Sequence, residues 1–139
     1  MLQRIAYVSR MVEPFEPEDI AALAKRAAEI NSRTEVTGVL CFNGHEFLQV
    51  IEGPAEAIAL TYARISGDRR HRVEQLLITE SVRERGFGEW GMALVRLEFL
   101  PLEVRQQLPT TDGRTGFPRD PKLALDLLRD AAASLETCT

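Results

Sequence analysis

Val36-Thr37-Gly38-Val39-Leu40-Cys41-Phe42-Asn43-Gly44-His45-Glu46-Phe47-Leu48-Gln49-Val50-Ile51 is the stretch that decides how this chain folds. Two apolar, β-rich runs flank an Asn-Gly pair, which adopts the positive backbone angles that a tight turn between strands demands. The stretch predicts a β-hairpin with arms Val36 to Phe42 and Glu46 to Ile51. Upstream, Ile20, Leu23, Ala24, Ala27 and Ile30 recur at helical spacing and predict a helix over 17–31 with one apolar stripe. The acidic residues between Glu16 and Asp19 suit its N-terminus. Before it, Ile5, Tyr7 and Val8 place a strand over Leu2 to Ser9, and a loop with two prolines runs from Met11 to Pro17. Downstream, Gly53-Pro54 ends the second arm and opens a second helix, striped by Ile58, Tyr62 and Ile65 and reaching about Ser66-Gly67. Val73 to Val82 reads as a strand, Arg83 to Glu89 as irregular, and Trp90 to Glu98 as a last strand.

The order is β-α-β-β-α-β and one strand more. It predicts an α+β protein: a ferredoxin-like core over residues 1–98, with an extra fifth strand and both helices on one face of a mixed sheet. Residues 99–139 read as a C-terminal helical tail. It comprises a short helix over 101–107, a loop over 109–118, and an amphipathic helix over 121–135 whose stripe is Leu123, Leu127, Leu128 and Leu135. The tail helix is expected to pack on the open face of the sheet. One helix does not cover five strands, so a homo-oligomer, at least a dimer, is expected to bury the rest.

Composition narrows the function classes. The 139 residues suit one core, with 45% hydrophobic and 27% charged residues. Seventeen basic residues against 21 acidic ones give a net charge of −4, the wrong balance for a broad phosphate-binding surface, so no nucleic-acid partner is expected. No apolar run approaches the ~20 residues that span a membrane, and the N-terminus lacks the apolar core of a signal peptide, so a cytoplasmic location is expected. Cys41 in a strand and Cys138 near the end make a poor disulfide pair in that compartment. No CxxC, HExxH or Walker loop supports a metal or nucleoside-triphosphate site. No nucleophile stands beside a base: His45 is in the hairpin turn and His71 in the basic run Arg69 to Arg72. The chain therefore does not read as an enzyme.

Four residues fall where core logic does not ask for them: Tyr7 in the first strand, Asn31 closing the first helix, Gln49 in the third strand and Trp90 opening the last. Singly, each has a plain structural explanation, as rim tyrosine, helix cap, wet-face glutamine and core filler. They occur together, however, within Tyr7-Val8-Ser9, Asn31 followed by Val36-Thr37-Gly38-Val39-Leu40, Phe47-Leu48-Gln49-Val50-Ile51-Glu52-Gly53, Asp68-Arg69-Arg70-His71 and Phe87-Gly88-Glu89-Trp90-Gly91-Met92. In order and spacing, from about residue 2 to residue 98, these motifs resemble the BLUF family of flavin-binding blue-light sensors.

The resemblance implies a flavin held between the two helices, FAD first, with FMN or riboflavin as alternatives. It makes Tyr7 and Gln49 the photoactive pair, with Trp90 and Met92 close to Gln49. It gives Asn31 the polar edge of the ring, Leu23 and Ile65 its two faces, and Arg26 and Arg64 the ribityl phosphate, with Arg33 and Arg70 as further candidates. Asp68 and His71 complete the binding set. Ile30 stands where many members carry Asn or His, and Ala27 where a serine often lies. The ring thus has fewer side-chain partners, which keeps a flavin-free, BLUF-like interaction module as the alternative reading.

The chemistry suits these residue types. An excited flavin is a one-electron oxidant. A phenol can yield an electron and then a proton, and its ordinary pKa of ~10 retains that proton at rest. A glutamine amide carries both a donor and an acceptor, so it can exchange which group faces which partner, and extra donation to the ring shifts absorption to the red. Nothing is turned over. The signal is expected to pass through the last strand, residues 83–89 and the tail helix to a separate protein, because no output domain follows the core. A cyclic-dinucleotide enzyme or a response regulator is consistent with the family.

Overall fold

A computed structural model describes residues 1–12, 16–111 and 114–137. The elements are β1 (Leu2–Met11), α1 (Pro17–Ser32), β2 (Thr37–Phe42), β3 (Glu46–Pro54), α2 (Ala55–Ser66), β4 (His71–Val82), β5 (Ala93–Arg96), α3 (Leu102–Arg105), β6 (Thr110–Thr111), β7 (Arg114–Thr115) and α4 (Pro121–Thr137). The five long strands form one sheet in the order β4-β1-β3-β2-β5. The first four give the antiparallel ferredoxin-like order, and β5 adds a parallel edge beside β2.

The hairpin forms where the Asn-Gly pair predicts it. Gly44 takes φ +104°, and Asn43 Oδ1 accepts hydrogen bonds from the backbone N–H groups of His45 (3.1 Å) and Glu46 (2.8 Å). The turn sets the register, and the register sets the site: Tyr7 lies opposite Gln49 on β3, and Leu40 lies opposite Gln49 on β2. Because strand residues alternate in direction, Ile5, Tyr7, Gln49 and Ile51 face α1 and α2, where they pack with Ile20, Ala24 and Ile58. Ala6, Val8, Leu48 and Val50 face the other way, toward α4.

The tail helix differs from its predicted stripe. Its buried residues are Ala124, Leu125, Leu127, Leu128, Ala131 and Ala132, whereas Leu123 is 55% exposed. Leu135's side chain and Cys138 lie outside the described residues, as do residues 13–15 of the predicted 11–17 loop. Alanines let the helix come close to the sheet, so the contact face is centred on small residues that a search for leucines passes over. Phe117, buried in the approach to α4, joins the same layer.

The last strand is shorter than the predicted Trp90 to Glu98. Only Ala93–Arg96 pairs with β2, and Leu97–Phe99 forms a 3-10 turn. Two glycines account for the irregular lead-in. Gly88 takes φ +87° with the Trp90 ring over it, and Gly91 abuts α1 so closely that a Cβ would sit 2.7 Å from the Ala28 carbonyl oxygen. The predicted 109–118 loop contains the two-residue ladder β6–β7.

A polar cluster that the sequence reading did not single out fastens this lead-in. Glu52 is fully buried, and its carboxylate accepts hydrogen bonds from Arg4 Nε (2.9 Å) and from the backbone N–H groups of Gly86 and Phe87. Arg85 donates to Thr37 Oγ1 and to the carbonyls of Glu52 and Glu35. The guanidinium groups of Arg4 and Arg129 both lie over the Phe87 ring, their Cζ atoms 5.1 and 5.3 Å from its centroid.

Candidate functional site

Between α1 and α2, above the sheet, opens a cleft of about 440 Å³. Helical spacing on α1 brings Leu23, Arg26, Ala27, Ile30 and Asn31 to one wall, and α2 supplies Arg64 and Ile65 to the other. The floor is Ser9, Leu40, Phe47 and Gln49, consecutive cleft-facing positions of three adjacent strands. Asp68, Arg70, His71 and Met92 complete the lining.

At the floor, buried side chains form a directed chain. The Tyr7 hydroxyl donates a hydrogen bond to Gln49 Oε1, and Gln49 Nε2 donates to Met92 Sδ at 3.4 Å. The amide is thereby oriented with its oxygen toward tyrosine and its NH2 toward sulfur. Tyr7 has no solvent exposure, and the edge of the Tyr62 ring packs on it at 5.4 Å between centroids. Burial, reinforced by Tyr62 and opposed by the Arg64 cation, raises the Tyr7 pKa well above its ordinary value. The phenol is a proton donor at any physiological pH.

Asn31 is buried beside this chain. Its Nδ2 donates to the Gly91 carbonyl at 2.9 Å, and its Oδ1 accepts from Arg64 Nη2 at 3.3 Å. At the mouth, Arg70 grips Asp68 with a 2.6 Å ion pair, which holds the Asp68 carboxyl down at about 2. His71 stacks edge-on to Phe47. Burial lowers its pKa, against the raising effect of Asp68, so the imidazole is neutral near pH 7. Its Nδ1 is buried with no hydrogen-bond partner among the described residues.

This lining fits a flavin. Leu23 and Ile65 offer apolar walls for a flat ring, the Asn31 and Gln49 amides offer hydrogen bonds to its polar edge, and Arg26 and Arg64 offer cations for a phosphate. The buried His71 Nδ1 leaves a hydrogen-bonding position open to a polar ligand atom, and Arg70 stands beside it at the mouth.

Not every expected residue is in the cleft. Tyr7 lies behind Gln49 and does not line it. Arg33 is the exposed C-cap of α1 and is not among the lining residues. Trp90, expected close to Gln49, instead packs with the cluster on the α4 side of the sheet, because the bend at Gly88 turns its ring that way. Met92 alone of that pair touches Gln49. Ser9 and Phe47 went unassigned although strand alternation points to them: each lies two residues from a photoactive candidate, on the same face.

The BLUF family pattern, described as sensors of blue-light using FAD, matches residues 2–93. The blue light- and temperature-regulated antirepressor BluF of Escherichia coli strain K12 is 34% identical over 97 residues, 70% of this chain. The chain spans only 24% of that relative's length. Among solved structures, the dark state of BlrB, a BLUF protein, superposes with a TM-score of 0.76 at 30% identity, covering 96% of each chain. Klebsiella pneumoniae BlrP1 with FMN and cyclic diGMP gives a TM-score of 0.68 at 35% identity, covering 74% of this chain and 28% of that one.

Proposed function

The chain belongs to the BLUF family, sensors of blue light using FAD, and from that premise we propose that Tyr7 and Gln49 are its photoactive pair, served by a flavin in the α1–α2 cleft. The observation that carries this is the buried chain Tyr7–Gln49–Met92 ending at the cleft floor. When bound and excited, the flavin supplies a one-electron oxidant. Every other part of the work falls to the protein.

Tyr7 is held as a protonated phenol in contact with one acceptor, Gln49 Oε1. An electron leaves a buried phenol readily only if its proton can leave too, and that hydrogen bond is its exit. Gln49 can complete a relay because its amide offers NH2 and oxygen on opposite sides. If those groups exchange, Tyr7 faces an NH2 and must accept, and Met92 Sδ faces an oxygen and loses its donor. The resting pattern therefore stores one arrangement and the exchanged pattern another, with Met92, immediately before β5, as the first residue affected. Asn31 couples the same cleft to that segment through the Gly91 carbonyl. Leu23 and Ile65 exclude water from the ring faces. Arg26, Arg64 and Arg70, with Asp68 and His71, orient the ribityl phosphate.

The family description favours FAD, and FMN is the flavin named for the BlrP1 structure. We read the chain as a sensor without catalysis that hands its signal to a protein partner, in a homo-oligomer. Photoactivated adenylate cyclases of Euglena gracilis are relatives, and a cyclic-dinucleotide enzyme or response regulator is a partner of the fitting kind. Purified protein tests the core of this reading. It should be yellow, release a flavin on denaturation, and show a small red shift under blue light. A colourless protein would support the flavin-free module instead.

A further inference from the structure

A second concavity, of about 410 Å³, lies between α4 and the turn that follows α3. It is on the opposite side of the sheet from the flavin cleft. Its apolar lining includes Val104, Leu108 and Leu127, and Leu123 stands over it 55% exposed. A lone exposed leucine is ordinary, but one set above an apolar hollow is a contact surface without its partner. Asp120, Asp126 and Asp130 stand in the same lining. Leu123 and Leu127, and Asp126 and Asp130, are each one helical turn apart, so α4 presents a leucine row edged by a carboxylate row.

The carboxylates are available. Asp126 pairs with Arg129 at 3.5 Å, with both side chains about half exposed, a weak contact that an incoming cation can replace. Among the described residues of the lining the one cation is Arg119, and it is committed elsewhere, 2.7 Å from Glu46 and 3.8 Å from Glu74. The groove is thus apolar at its base and negative at its edge, on a chain whose net charge is −4.

We propose that this groove docks an amphipathic helix of a partner protein, whose apolar residues one turn apart are flanked by lysines or arginines. A second copy meeting it groove to groove would set both rows of aspartates against each other. The inference rests on the reading that the chain hands its signal to a partner, but not on the flavin. Arg129 links the groove to the segment between β4 and β5, since it pairs with Asp126 on one side and lies over the Phe87 ring on the other.

The test uses the full-length protein and a labelled synthetic helical peptide with leucines one turn apart and arginines beside them, read by fluorescence anisotropy. The control is a peptide of the same composition with its leucines scattered around the helix. The designed peptide should bind at least tenfold more tightly than the control, and more weakly as salt is raised. Leu123→Asp, and separately Asp126→Lys with Asp130→Lys, should each cost tenfold or more. Both alter exposed positions, and an unchanged melting temperature shows that the fold is kept. Equal binding of the two peptides, or full affinity in both variants, overturns the proposal. So does a concentration-dependent dimer that Leu123→Asp disperses while no peptide binds, which assigns the groove to a second copy. A protein that binds the peptide but shows no light response contradicts the photoactive reading and leaves the groove standing.

Discussion

At the scale of single residues, Gln49 decides the direction of the hydrogen-bond chain. Gln49→Leu removes both the acceptor for Tyr7 and the donor to Met92 while leaving Leu23, Asn31 and Ile65 in place. Flavin should stay bound and the light-induced red shift should vanish, as read by absorption spectroscopy; a full shift in this variant would show that the relay lies elsewhere. His71 carries a pH prediction. Burial lowers its folded pKa below the ordinary ~6.5, so the unfolded chain takes up the proton first as pH falls. Its contribution is fully present above that unfolded value, fades as pH drops below it, and levels off below the folded value. Urea denaturation at pH 7 and pH 5 should show the loss, and His71→Phe should flatten it; an unchanged slope in that variant would assign the loss to other groups. Tyr7, Asn31 and Gln49 were legible in the sequence because polar or aromatic types stood in apolar patterns. Glu52 was not, because a glutamate at the end of a strand reads as an exposed residue. Only the three-dimensional return of Arg4 and residues 86–87 buries it.

At the scale of elements, the segment between β4 and β5 is built by fastening rather than by propensity. Glu52→Leu leaves the Arg4 guanidinium largely buried with only the half-exposed Glu80 as an ion-pair partner, and unties Gly86 and Phe87. Breaking a buried pair from one side costs about 3–5 kcal/mol, and the remaining partner places this case toward the lower end. Denaturant unfolding measures it, and a loss under 1 kcal/mol would contradict the clamp. Gly88→Ala combines a left-handed backbone with a Cβ driven into the Trp90 ring, so it should destabilise the same segment and disturb β5. The hairpin, helices α1 and α2 and the order of the elements along the chain could be read from turn chemistry and period. The true length of β5 could not, because Trp90 to Glu98 has strand-like composition and only the packing of Gly88 and Gly91 against neighbours bends it away. The rotated face of α4 was hidden for a similar reason: alanines carry little hydrophobic signal, yet close approach to the sheet needs them.

At the scale of the whole molecule, one sheet separates two layers, the flavin cleft under α1 and α2 and the tail helix with its groove. The sheet is what the two layers share, and the Phe87 stack lies on its α4 side. Leu128 is fully buried between α4 and the sheet, and Leu128→Ala should cost about 2–5 kcal/mol by leaving a cavity there. The dark flavin spectrum should survive this change, since none of the cleft lining comes from α4; a variant that loses its flavin while still folded would show that the layers are not separate. On the proposed function, a buried phenol relayed by one amide gives this protein its response to light. The most direct measurement is the light-minus-dark absorption difference of purified wild type beside Tyr7→Phe. The same flavin should be bound in both, with a red shift under blue light in the wild type and none in the variant. A full red shift in Tyr7→Phe, or a wild-type protein that carries no flavin, would contradict it.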